Sequence, residues 1–312
     1  MDLHKLIKDS RETLRDSTIR TYLLNIKRLN GGEMPKSIKF MENVEQINEK
    51  IKDMKLSTKR NMITSVMVVL SAMEGDKYLK LREEYRKELA KYNSEYESYL
   101  ETHAKTMKEE TNWTTVKELN SVLKEYMRQI RKLKLNKKEL QTDPNLQLLQ
   151  KALVAGLYLI FNKNDGPRRL EYANMKIIKN RSEIKPNINY LLFVSSRTKY
   201  FVFQNYKTSG TYGTLEKKVP TKLNTLINNW LRYNKSDDFL LNNKGEPMSA
   251  NSLGKYIPIV FQPSGKKITL NLIRHIFISE NVELDKIHNN KALAENMGHD
   301  ISTQEGYIKI DT

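Results

Sequence analysis

From Leu148 to Phe161 the chain is interrupted only by Gln150 and Lys151, both near the start of the run. A surface helix carries one apolar stripe, whereas a helix that is apolar all round has to be covered on every side. The run therefore predicts a central buried helix. Its uninterrupted part, Ala152 to Phe161, is too short to cross a bilayer, which takes about 20 apolar residues. At 312 residues the chain has the length for two domains with separate cores.

Helical spacing dominates elsewhere as well. Ile19, Tyr22, Leu23, Ile26 and Leu29 recur at steps of three and four after Ser17 and Thr18, and Gly31 and Gly32 stop the run. Val44, Ile47, Ile51 and Met54 mark a second helix, and Met62 to Met73 a third around Lys59 and Arg60. This segment, 1–77, is expected to be a helical bundle with basic outer faces. Residues 78–110 are densely charged, with Leu81, Tyr85, Leu89, Tyr92, Tyr96 and Tyr99 at helical steps, which predicts a long linker helix between domains. Its tyrosines could stack on bases, but a stripe at this spacing is more often a packing seam. A second domain is expected over 111–312. It opens with a polar cap at Asn112 to Thr115, and three strand-like runs, Tyr190–Val194, Tyr200–Asn205 and Leu215–Val219, read as an antiparallel meander.

Lys and Arg number 54 against 37 Asp and Glu, a formal net charge of +17. Such an excess selects polyanionic partners, nucleic acid first and an anionic membrane surface second. The absence of cysteine removes disulfides, thiolate catalysis and cysteine–zinc sites. Five scattered histidines (4, 103, 275, 288, 299) never approach metal-ligand spacing, so neither metal nor cofactor is expected. The start of the chain lacks a signal-peptide hydrophobic region, and the expectation is a soluble intracellular protein.

Residues suited to phosphate chemistry recur through the second half. Arg168 precedes Glu171 by three residues, and an arginine at a helix start can share an anion with exposed backbone N–H groups; a salt bridge to Glu171 is the plainer alternative. Lys207 follows the second strand run, where a turn lets an ammonium swing into a groove, although most surface lysines are simply solvated. Arg274 lies in an apolar helix beside His275, which reads as a core histidine. Gly298–His299 is followed eight residues later by Tyr307, a candidate nucleophile with an imidazole upstream.

Taken in order, Arg168 with Glu171, Lys207, Arg274, Gly298–His299 and Tyr307 resemble the tyrosine recombinase (phage integrase) family, and the resemblance covers nearly the whole chain. Ser17 to Tyr22 also looks like the first helix of that family's core-binding domain. The resemblance implies a mainly α fold with a small antiparallel sheet. It also implies a two-domain, C-shaped clamp on duplex DNA, with a helical N-terminal core-binding domain and a mixed α/β catalytic domain. Tyr307 would attack a scissile phosphate, giving a 3′-phosphotyrosine and a free 5′-hydroxyl without metal or cofactor. Arg168 and Arg274 would hold the non-bridging oxygens, His299 would hydrogen-bond the phosphate, and Lys207 would protonate the leaving 5′-oxygen. Glu171 would support, and Arg20, Lys59 and Arg60 are candidate DNA contacts.

Two departures stand out. Asn271 occupies the position where the family usually has histidine; an amide can donate to phosphate but cannot take and release a proton near neutral pH. Only Ile308 to Thr312 follow Tyr307, so a tetramer on DNA is expected to assemble without the C-terminal helix that many relatives exchange. Three functions compete. Site-specific recombination or integration leads; type IB topoisomerase-like relaxation and a weakened, binding-only protein on the same scaffold follow. The abundance of Lys, Asn and Ile hints at the A·T-rich genome of a virus or mobile element. The protein would then act wherever its DNA is, in nucleoid, nucleus or viral replication site.

Overall fold

The computed structural model describes residues 2–135, 143–162 and 165–297. The chain divides into two compact units, Met1–Lys105 and Thr106–Thr312.

The first unit is all helical: α1 (Leu3–Ser10), α2 (Asp16–Leu29), α3 (Val44–Ile51), α4 (Leu56–Ser71) and α5 (Asp76–Glu101). Each buries the stripe that its spacing marks, including Ile19 and Ile26 of α2, Ile47 and Ile51 of α3, and Ile63, Val66 and Val69 of α4. The segment expected to link two domains is in fact the last helix of this unit. It packs along α4, with Leu81, Tyr85 and Tyr92 in the core and the Tyr85 hydroxyl donating to the Met41 carbonyl at 2.7 Å. The first part of the tyrosine stripe is thus a seam.

The second unit is mixed. After α6 (Met107–Asn112) come α7 (Val116–Lys132) and α8 (Asp143–Leu159), then a small sheet of β1 (Lys176–Ile178), β2 (Tyr190–Phe193), β3 (Lys199–Phe203) and β4 (Leu215–Lys218). A short α9 (Ser209–Tyr212) sits between β3 and β4, and α10 (Thr221–Leu231), α11 (Ala250–Val260), α12 (Leu270–Asn281) and α13 (Leu284–Asn296) follow. Thr115 and Glu118 form a capping box at the start of α7, each side chain answering the other's backbone N–H. The apolar α8 is wrapped by α7, α10 and α11, and Ala152 to Ala155, Leu157 and Tyr158 are fully buried. Gly156 lets α10 approach: a Cβ there would lie 2.5 Å from a Leu226 methyl. No helix among the described residues is long and apolar enough to cross a membrane.

The sheet has the order β1-β2-β3-β4 and is mixed, a correction to the antiparallel expectation. The meander β2–β3–β4 is antiparallel, with Leu191 opposite Phe201 and Phe201 opposite Lys217. β1 joins parallel to β2, Ile177 beside Leu191, after a crossover carrying a one-turn helix at Arg181–Glu183. Three residues are too few for a readable alternation, which is why β1 leaves no strand signature.

Lys199, at the start of β3, is 1 % exposed. Its ammonium donates to Asn224 Oδ1 (2.7 Å), Asn228 Oδ1 (2.6 Å) and the carbonyls of Ser195 and Ser196, tying the β2–β3 turn to α10. These partners are neutral, and burial pushes its pKa down to about 8. An unfolded lysine titrates near ~10.4. Between these values the unfolded chain holds a proton that the folded chain has released, so stability rises with pH. Tyr85, Tyr92, Tyr126, Tyr158 and Tyr172, all buried, and the half-buried Tyr256 have pKa values raised by burial and oppose this above about pH 10. The melting temperature is therefore expected to climb from about pH 8 to about pH 10, and Lys199→Met to flatten the climb. A melting temperature of the unaltered protein that falls steadily from pH 8 would contradict this.

Candidate functional site

α8 ends at Leu159, residues 165–169 are in neither helix nor strand, and a turn then runs from Leu170 to Asn174, where Asn174 takes a left-handed φ of 51°. The helix expected to start at Arg168 is absent. Asn174 turns its N–H to the Met248 carbonyl at 3.0 Å, and the chain passes from this single turn into β1 rather than into a helix. Arg168 consequently offers its side chain but no helix N-terminus.

That side chain is held by rings. The guanidinium carbon lies 4.2 Å from the centre of the Phe203 ring, at the end of β3, and 5.2 Å from Tyr206. The Glu171 carboxylate is 3.8 Å away, and its side chain is 8 % exposed. Arg168 Nε and Glu171 Oε2 are buried without a hydrogen-bond partner among the described residues. The salt bridge is therefore loose, and the arginine keeps donors in reserve.

Arg274 lines the same cleft from α12. It stands one turn into α12, half-buried, and Nη1 donates to the Pro167 carbonyl at 2.7 Å. Burial, then the neighbouring Arg169 and Arg168 guanidiniums, push its pKa below the ordinary arginine value while Glu171 opposes them. The group remains a cation at neutral pH. Gly166 makes the approach of α12 possible: a Cβ there would meet the Phe277 ring at 2.9 Å. Lys207 comes in on the loop from β3 into α9 and is exposed.

Arg168, Arg169, Glu171, Lys207 and Arg274 line one open cleft of about 490 Å³, so four cations face one carboxylate. Such a surface attracts a dianion or a chain of phosphates and gives it several independent donors. Arg169 was not singled out by sequence reasoning; it is exposed and lines both this cleft and the one beside it. Its adjacency to Arg168 was the only available signal. Asn271, exposed in the first turn of α12, lines that neighbouring cleft, which shares Arg169, Glu171 and Lys207 with the first. His299 and Tyr307 lie outside the described residues.

His275 is not a core histidine. It is exposed, and Nδ1 pairs with Glu109 Oε1 at 2.6 Å, joining α12 to the short α6. In the first unit, Arg20 is exposed on α2, whereas Lys59 and Arg60 are half-buried against α5 rather than on an outer face. Lys59 lies over Tyr92; Arg60 stacks 4.2 Å over Tyr96 and donates from Nε to Asn93 Oδ1 at 2.6 Å. Among the described residues no group of three or more His, Cys, Asp or Glu could hold a metal ion. Comparison of the chain with protein-family models, with curated proteins and with solved structures finds no match.

Proposed function

We propose that the chain is a site-specific DNA recombinase or integrase that cuts and rejoins strands through a 3′-phosphotyrosine on Tyr307. One observation carries the reading. Arg168 with Glu171, Lys207 and Arg274, named from sequence order and lying in three separate stretches of the chain, line a single cationic cleft with room for a phosphodiester. The net charge of +17 supports a polyanionic partner.

In the proposed reaction the Tyr307 oxygen bonds to phosphorus as the bond to the 5′-oxygen breaks, and the tyrosine proton leaves to solvent. Arg168, Arg274 and His299 meet the charge on the non-bridging oxygens. Lys207 delivers a proton to the 5′-oxygen, a contribution of about 10²–10⁴-fold. The ester keeps the bond energy, so a second 5′-hydroxyl can reverse the step on another strand. The protein is proposed to bind duplex DNA and to work as a tetramer, in nucleoid, nucleus or viral replication site.

The test is incubation of the full chain with nicked duplexes that lose the cleaved end, and with supercoiled plasmid. A covalent adduct and joined products from two duplexes are expected. Relaxation without joining would replace this reading with topoisomerase activity, and binding without any adduct would reduce it to a binding protein. Asn271 can donate to phosphate but cannot relay the tyrosine proton. Asn271→His is therefore expected to raise the cleavage rate by about 10²-fold, the low end of general acid–base catalysis. An unchanged rate would remove that role for position 271.

A further inference from the structure

The cleft beside the cationic one has a volume of about 540 Å³, and five of its thirteen lining residues are asparagine (174, 187, 189, 205 and 271). The whole chain has 29 asparagines in 312 residues, so the amides are concentrated here. Asn189 is consumed by structure. It is 7 % exposed; Nδ2 donates to the Glu171 and Asn205 carbonyls (3.0 and 2.9 Å), and Oδ1 accepts from the Gln204 and Asn205 N–H groups (2.9 and 2.8 Å). Those four bonds stitch the Glu171 turn to the end of β3, two residues before Lys207, and so fix the wall common to both clefts.

The other four differ. Asn174, Asn187, Asn205 and Asn271 are exposed, and none of their side chains hydrogen-bonds another described residue. Asn174 and Asn187 have φ of 51° and 63°, a backbone that asparagine tolerates, which explains the residue type but leaves the amides unused. Asn205 and Asn271 have no such backbone reason.

We propose that this cleft is a base-reading subsite: with a phosphate held among Arg168, Lys207 and Arg274, the edges of the neighbouring nucleotides dock on the amides of Asn174, Asn187 and Asn205. Cations suffice for phosphate, and phosphate contacts carry no sequence information. An amide presents a donor beside an acceptor, the pattern that matches the N6 amino group and N7 of adenine. Adenine next to the cleaved phosphate is therefore the favoured base. The inference rests on the DNA strand-transfer reading and adds to it which nucleotides the site selects.

The experiment uses the full chain and a duplex library randomised around a nick; adducts are trapped and their DNA sequenced. The comparison protein carries Asn174→Gly, Asn187→Gly and Asn205→Ala, since glycine keeps the left-handed backbone while deleting the amide. The unaltered protein is expected to enrich adenine at fixed positions beside the cleavage point. Replacing each such adenine by 7-deazaadenine, which lacks N7, is expected to lower capture about ten-fold, the scale of one bidentate base contact. The triple variant is expected to lose both the enrichment and the sensitivity to 7-deazaadenine while still forming adducts on unselected DNA. Enrichment retained by the variant, or indifference of the unaltered protein to 7-deazaadenine, overturns the subsite alone. The 7-deazaadenine arm needs no mutation and decides the matter even if the variant fails to fold. Absence of any adduct from the unaltered protein overturns the strand-transfer reading and the subsite with it.

Discussion

Arg274→Ala is expected to slow formation of the covalent DNA adduct by about 10²–10³-fold, the usual cost of one preorganised donor to a reacting oxyanion, and Tyr307→Phe to leave no adduct at all. The distinction follows from the proposed chemistry. Without Tyr307 there is no oxygen to form the ester; without Arg274 the ester still forms, but part of the charge on phosphorus goes unmet. The structure supplies the preorganisation. Nη1 of Arg274 is held on the Pro167 carbonyl at 2.7 Å, so the fork is aimed before any ligand arrives, and its remaining donors have no partner among the described residues. Repulsion from Arg169 and Arg168, with partial burial, holds its pKa below the ordinary value. A phosphate entering the cleft relieves that repulsion. Arg274→Lys is expected to recover little, because an ammonium cannot serve the Pro167 carbonyl and two phosphate oxygens in one plane. Alanine removes one hydrogen bond at the wall of an open cleft and should cost about 1 kcal/mol of stability. Single-turnover adduct formation, measured with the urea midpoint, separates these effects; a normal rate for Arg274→Ala would exclude it from the reaction.

Phe203→Ala is expected to destabilise the second unit by about 3–5 kcal/mol, the range for deleting a buried aromatic ring. Phe203 is fully buried, stacked on Phe201 at 5.7 Å and edge-on to Tyr172 at 5.7 Å, in a cluster that also includes Phe239. One face of the ring carries the Arg168 guanidinium at 4.2 Å. Phe203→Leu fills most of the space but removes that face. The stacking is worth about 0.5–2 kcal/mol, so the leucine variant should remain folded while forming adduct about ten-fold more slowly. Urea denaturation checks the alanine variant, and adduct kinetics check the leucine one. A leucine variant that is folded and fully active would mean that Tyr206 and Glu171 alone position Arg168.

What could be read before the fold was known depended on distance along the chain. The helical stripes of α2, α3 and α4, the all-round burial of α8 and the meander β2–β3–β4 are local patterns of period 3.6 or 2, repeated often enough to register. β1 is too short to repeat. The packing of α5 on α4 was half legible: the tyrosine spacing marked a seam, but charge density made the segment look like a spacer. His275 shows the opposite error. Its apolar neighbours in sequence suggested a buried ring, yet on a helix the next residue lies about 100° around, and that step turns it outward to Glu109.

Local patterns in the chain were enough to show that it is mainly helical and strongly basic, and they set out in order the arginines, lysine, histidine and tyrosine suited to phosphate chemistry. Packing alone brings Arg168, Lys207 and Arg274 into one cleft, holds Arg168 by aromatic faces rather than by a helix end, and sets four unused amides beside it. The physical reason is that these relations join residues far apart in the chain. The Arg274–Pro167 bond spans 107 positions. Such contacts exist only after α8 is buried, Asn189 ties the Glu171 turn to β3, and Gly166 lets α12 close against the chain that leaves α8. No period or propensity encodes that closure, because it is a property of packed surfaces rather than of neighbouring residues.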